Sequence, residues 1–171
     1  MNRKGFTLIE LVMVIVLIGI ISVFVAPRLG NIMTTNAGPF MDKFRADIRY
    51  AQNLAMTKNR RTRVNLTNTS YAVSQDDSAT NNCSSFPTVA DPAEGGNLSI
   101  ALDTGSYAGI TITPSIACLE YDALGRPYDC TIAPAPAACS TTLSGMNIAV
   151  IANGATTVGA VTVSTQTGAV N

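Results

Sequence analysis

Apolar positions along this chain follow three successive rules. Over residues 6–26 they run almost unbroken, interrupted by Thr7, Glu10, Gly19 and Ser22. As a helix that run covers about 31 Å at 1.5 Å per residue, enough to cross a hydrocarbon core once. From Phe40 the spacing becomes helical and one-sided. Phe40, Phe44, Ile48, Ala51 and Ala55 share a face flanked by Leu54, while Arg45, Arg49 and Gln52 point elsewhere. Beyond that stripe the period falls to two. Residues 62–66 and 71–73 alternate about the turn Asn68-Thr69-Ser70, which predicts a hairpin.

Further strands are predicted at 98–102, 109–113, 116–121, 146–151 and 158–164, each bounded by Gly, Pro, Asn or Asp. Residues 123–127 read as a turn, and Gln166-Thr167-Gly168 closes the last hairpin. Residues 75–97 are rich in Ser, Asp, Asn, Pro and Gly and read as a surface loop, longer than a compact domain needs. Such a loop can bind a ligand or merely vary.

Helices followed by strands imply an α+β arrangement. A long N-terminal hydrophobic helix, transmembrane and kinked near Pro27, is expected to continue into an amphipathic helix packed on an antiparallel sheet or sandwich. The stretch 31–39, NIMTTNAGP, is a weak helix former, so either one long helix bends there or a second begins at Pro39. The expected divisions are a short segment at 1–5, a membrane helix at 6–30, an amphipathic segment at 31–58 and a β-rich globular part at 59–171.

Charge changes the reading of the apolar run. Arg3 and Lys4 precede it, which places residues 1–5 in the cytoplasm and everything beyond about Arg28 on the far side. Glu10 lies inside it, where a carboxylate at bilayer depth costs on the order of 2.5 kcal/mol or more, less near the interface. A secretory signal would need a small-residue cleavage site after the run. The sequence there is Val25-Ala26-Pro27-Arg28, and Pro27 opposes ordinary cleavage; the small residue flanked by charge is at the front, in Lys4-Gly5-Phe6.

Gly5-Phe6-Thr7-Leu8-Ile9-Glu10 with its apolar tail resembles the class III prepilin signal of type IV pilins and type II secretion pseudopilins. The resemblance implies cleavage after Gly5 by a prepilin peptidase, methylation of the new amino terminus at Phe6, and retention of the helix as anchor and filament core. It also implies that Glu10 pairs with a neighbouring subunit's terminal amine and sets axial register. The chemistry agrees, because a buried carboxylate is tolerable when paired and hydrogen-bonded.

Three short patches narrow the resemblance. They are residues 48–55 (IRYAQNLA) followed by basic residues and a strand, residues 121–127 (YDALGRP), and Val161-Thr162-Val163-Ser164 with Thr167-Gly168. These are similar to FimT/GspH-type minor pilins and pseudopilins, including those of the mannose-sensitive hemagglutinin pilus. DNA-binding members of that group carry arginines beside the glycine of the last turn. Here the positions read Gly168-Ala169-Val170-Asn171, so DNA is not an expected partner. Lys58, Arg60, Arg61 and Arg63 form a basic cluster that could meet phosphates but reads better as a solvated helix end, with no interleaved aromatic to stack bases.

The 171 residues are 47% hydrophobic, enough for one anchored domain with a modest core. Eleven cations balance eleven acids, and losing Arg3 and Lys4 leaves nine against eleven, which predicts no polyanion partner. Cys83, Cys118, Cys130 and Cys139 all follow the anchor and are disulfide candidates with three possible pairings. Because Cys130 and Cys139 bracket the loop TIAPAPAA, that bridge is favoured together with Cys83 to Cys118. The spacings are not those of a zinc site. The chain has no histidine and no Walker loop, so no enzyme activity, cofactor or metal is expected.

The function implied is that of a minor structural subunit in a type IV pilus-like filament. A type II secretion pseudopilin and a filament-borne adhesin or DNA receptor are the alternatives. Expected partners are other pilin or pseudopilin subunits, the prepilin peptidase and methylase, an inner-membrane assembly platform with its ATPase, and membrane lipid before assembly. The expected location is the bacterial inner membrane, with the globular part periplasmic, and then the filament.

Overall fold

The computed structural model describes residues 8–29, 36–78, 83, 85–131 and 139–171, with side chains in the first helix described to Ser22. The chain forms two units, residues 1–35 and 36–171. Within the first, helix α1 (Leu8–Leu29) runs through Pro27 almost to its own end. The second unit is the globular head.

Helix α2 (Ala37–Lys58) opens the head. It begins two residues before Pro39, the start expected under one of the two sequence readings. The difference is permitted because the first-turn amides of a helix have no intrahelical acceptor, so a proline there sacrifices nothing. The Phe40 amide bonds the Asn36 carbonyl at 3.0 Å, and Asn36 Nδ2 donates to the Ser106 carbonyl at 3.0 Å. At the other end Asn59 takes a left-handed conformation with φ 53°, which stops the helix.

Two antiparallel sheets follow. The larger has the order β3 (Ser99–Ala101), β2 (Ser70–Gln75), β1 (Thr62–Leu66), β5 (Cys118–Tyr121), β6 (Pro127–Asp129) and β7 (Thr141–Thr142). The smaller has the order β4 (Ile110–Pro114), β8 (Asn147–Asn153) and β9 (Thr156–Thr162). Strands β6 and β7 were not expected from sequence. They are only three and two residues long, too short to display a period, and β6 begins on the proline assigned to the preceding turn.

The α2 stripe is what both sheets share. Phe40, Phe44, Ile48, Ala51 and Ala55 are each 0% exposed, packed with Val64, Val73 and Leu119 of the larger sheet and Ile148, Ile151 and Val161 of the smaller. Phe40, Phe44 and Tyr71 form an aromatic cluster, with the Phe44 and Tyr71 rings edge to face at 4.9 Å. Burying one such side chain stabilises the fold by about 1.5–3 kcal/mol, and truncation adds a cavity cost. Phe44→Ala should therefore lower the unfolding free energy by about 3–5 kcal/mol, measured by denaturant titration.

Candidate functional site

The expected cleavage and methylation positions, Gly5 and Phe6, lie outside the described residues. Glu10 sits in the first turn of α1, exposed, at the end where the helix dipole favours an anion. Around it the helix is apolar on every side. Leu8 is 82% exposed and Val14, the least exposed of the large apolar residues up to Ile21, still 44%. A helix hydrophobic all round requires lipid or protein about it. Among the described residues no helix is long and apolar enough to cross a membrane; the side chains described in α1 stop at Ser22, inside the 6–26 run.

In the head, the three patches quoted above meet at Gln52. Its Nε2 donates to the Gly125 carbonyl and to the Thr167 carbonyl, each at 2.9 Å. Tyr121 donates its hydroxyl to the Gly168 carbonyl at 3.3 Å, and Arg49 Nη2 donates to the Val170 carbonyl at 2.9 Å. One side chain of α2 thus ties the β5–β6 turn to the turn after β9. The approach is close enough to require glycine. Gly168 has φ +71°, and a Cβ there would lie 2.5 Å from the Gly125 carbonyl oxygen.

The basic cluster does not form a solvated patch. Arg63 and Glu120 face each other across β1 and β5, and Glu120 is fully buried. Arg63 Nε bonds Glu120 Oε2 at 2.7 Å, Arg61 Nη1 bonds Oε1, and the Ser140 hydroxyl donates to Oε1 at 2.9 Å. Arg63 also covers the Phe86 ring at 3.7 Å and donates to the Cys139 carbonyl at 3.2 Å. Arg60 donates to the carbonyls of Asp76 and Asp77 at 3.5 and 3.2 Å, while Lys58 is exposed. Glu120 was missed in the sequence, although an acid within a strand candidate, with arginines at the start of another, was the available signal.

All four cysteines are bridged, but not in the favoured pairing. The bonds are Cys83 to Cys139 and Cys118 to Cys130. The cause is β6: with Leu119 opposite Asp129, Cys118 and Cys130 become neighbours, and the Cys130 amide bonds the Cys118 carbonyl at 3.0 Å. Cys83 then joins the long loop to Cys139, two residues before β7. That loop, 75–97, is not loose at its ends, since isolated bridges join Ser74 to Thr88 and Ala90 to Asn97. Between it and α2 lies an open cleft of about 320 Å³ lined by Tyr50, Leu54, Arg60, Gln75, Pro87 and Val89.

Three carboxylates hold loops by accepting amides. Burial alone would push Asp122 up, but the amides of Arg126 and Leu124 at 2.9 Å and the Arg126 guanidinium hold it below its ordinary 3.8. Burial likewise opposes and hydrogen bonds from Ser78 and Cys83 outweigh it at Asp76, and the amides of Ala93 and Glu94 lower Asp91. Asp47 goes the other way. Burial raises it, only partly countered by the Tyr71 hydroxyl at 2.6 Å and by Lys43 at 3.4 Å. Among the described residues no group of three or more His, Cys, Asp or Glu could hold a metal.

Residues 1–26 match the prokaryotic N-terminal methylation motif, which covers the leader, Phe6, Glu10 and the apolar run and leaves the head outside the match. Comparisons with curated proteins and with solved structures gave no match. The chain is therefore similar to methylated prokaryotic precursors in its first 26 residues.

Two stability measurements test the head. Removing Cys83–Cys139, which closes 56 residues, should cost about 4 kcal/mol, against about 3 kcal/mol for Cys118–Cys130 closing 12, by denaturant titration of the double serine variants. Carboxylates with lowered folded values contribute stability that is complete above 3.8 and lost as pH falls through those lower values. The Tm should accordingly drop on acidification below pH 4, and Asp122→Asn should flatten part of that slope while lowering the Tm at neutral pH.

Proposed function

We propose that the chain is a structural subunit of a type IV pilus-like filament, made as a prepilin, cleaved after Gly5 and methylated at Phe6. The observation that carries this reading is the methylation motif continuing into an apolar helix exposed on all sides, attached to a separate compact head. In this reading α1 with its preceding residues anchors the chain in the inner membrane, and the disulfide-bridged head stands in the periplasm. Assembly exchanges lipid around the stem for other stems, so that its apolar surface never meets water.

Glu10 supplies the register. It sits where a neighbouring Phe6 ammonium could neutralise it once the stems are stacked, and an unpaired carboxylate in that core would be costly. Pro27 removes one helical hydrogen bond and weakens the stem there, which lets it bend as it enters the stack. The head's polar clusters are engaged in holding its own loops, which supports a structural role over a ligand-binding one.

Mass spectrometry of sheared filaments and washed membranes tests the reading. It should find an amino terminus at methyl-Phe6 and the chain in sheared filaments in small amounts beside a dominant subunit. Gly5→Leu should leave unprocessed protein in the membrane. Glu10→Ala should be processed normally yet fall at least tenfold in filaments, and its normal incorporation would remove the register role. Processed protein confined to membranes would favour a secretion pseudopilus.

A further inference from the structure

Charge is distributed unevenly over the head. The sequence holds no Asp, Glu, Lys or Arg after Asp129, and none between Asp103 and Glu120. Strands β4, β8 and β9 fall inside those two stretches, so the smaller sheet carries no formal charge. Its inner face is filled by Ile110, Ile112, Ile148, Ile151 and Val161, all buried. Its other positions include Thr111, Thr113 and Ala160, which are exposed, and Val150 and Ala152, which are half-buried.

Strand β9 ends this sheet. Its last residue, Thr162, is paired in both directions with Asn171, at 3.1 and 2.9 Å. Residues 156–160 have no such neighbour among the described residues on the side away from β8. An open row of backbone donors and acceptors is complemented by an extended strand, which is why exposed edges are usually guarded by lysine, proline, shortness or a covering loop. The β9 sequence, TTVGAVT, has seven residues and neither lysine nor proline; its guard is a register slip at Val158.

We propose that residues 156–160 of β9 are a docking edge for the same edge of a second copy, the two strands pairing antiparallel across a two-fold axis. Neutrality selects the occupant. An uncharged edge offers no charge complementarity to an acidic or basic partner, whereas pairing with another uncharged strand leaves no charge desolvated. The chain's own β9 meets that condition, and across a two-fold axis one patch serves both sides. The product is a continuous six-stranded sheet. Subunits stacked in one filament are related by a screw operation, so this pair joins copies in different filaments, and it depends on no property of α1.

Centring the axis on 156–160 places Val158, 39% exposed, opposite the partner's Val158. Like charges there should repel and unlike charges attract. The test uses the full chain inserted singly in lipid nanodiscs and followed by sedimentation across the micromolar range. The wild-type particle should double in mass with concentration, with slowed hydrogen exchange at amides 156–160. Val158→Lys and Val158→Glu should each remain single, with unfolding curves like the wild type, and mixing the two should restore doubled particles. Wild-type discs that stay single would overturn the proposal, as would doubling that both variants retain. Single discs that capture an added strand peptide of different sequence would overturn it in favour of a foreign partner.

Discussion

Neither sheet of the head can bury its inner face without α2. A sheet buries one face only against another layer; here the apolar stripe of Phe40, Phe44, Ile48, Ala51 and Ala55 supplies that layer to both sheets at once. The small residues in the second half of the stripe, Ala51 and Ala55, let the backbone of α2 approach the strands packed on it. The first half carries the bulk, and its aromatics meet Tyr71. Fold and stability thus converge on one helical face.

Polar groups then fix what the core leaves free. Gln52 joins two turns remote in sequence, Glu120 gathers two arginines and Ser140, and Asp122 closes the β5–β6 turn on itself. Gln52, Glu120 and Asp122 are themselves buried or half-buried and satisfied, which is the condition under which such groups stabilise rather than cost. Arg63, in a cluster that reads in sequence as a solvated helix end, serves to hold the loop of Cys139 against the larger sheet.

Much of this was legible. A stripe at helical spacing and strands of period two announce themselves through burial alone, and α2, β1, β2, β4 and β8 lie where that pattern put them. Strands of two or three residues have no period to read, so β6 and β7 were lost, and the cysteine pairing went wrong with them because it depends on β6 lying beside β5. Gly125 and Gly168 read as turn residues, correctly, but nothing in a linear string reveals that their two turns meet at Gln52, through the carbonyls of Gly125 and Thr167. Of the amino-terminal signal, Glu10 alone among Gly5, Phe6 and Glu10 lies in the described residues.

The absence of formal charge from β4, β8 and β9 divides the head's response to its surroundings. Every carboxylate that holds a loop, Asp76, Asp91 and Asp122, and the buried Glu120 lie with the larger sheet or its loops. Protons and salt therefore act directly on one sheet and reach the other through α2 and the few bonds that join the two, such as the Ile112 amide on the Asn68 carbonyl and the Tyr121 hydroxyl on the Gly168 carbonyl. Cooperative units of a protein open separately when their local free energies are perturbed separately. Under acid the head should not loosen evenly: the hairpin of β8 and β9 keeps its amide protection longest, and the head comes apart from its charged side inward.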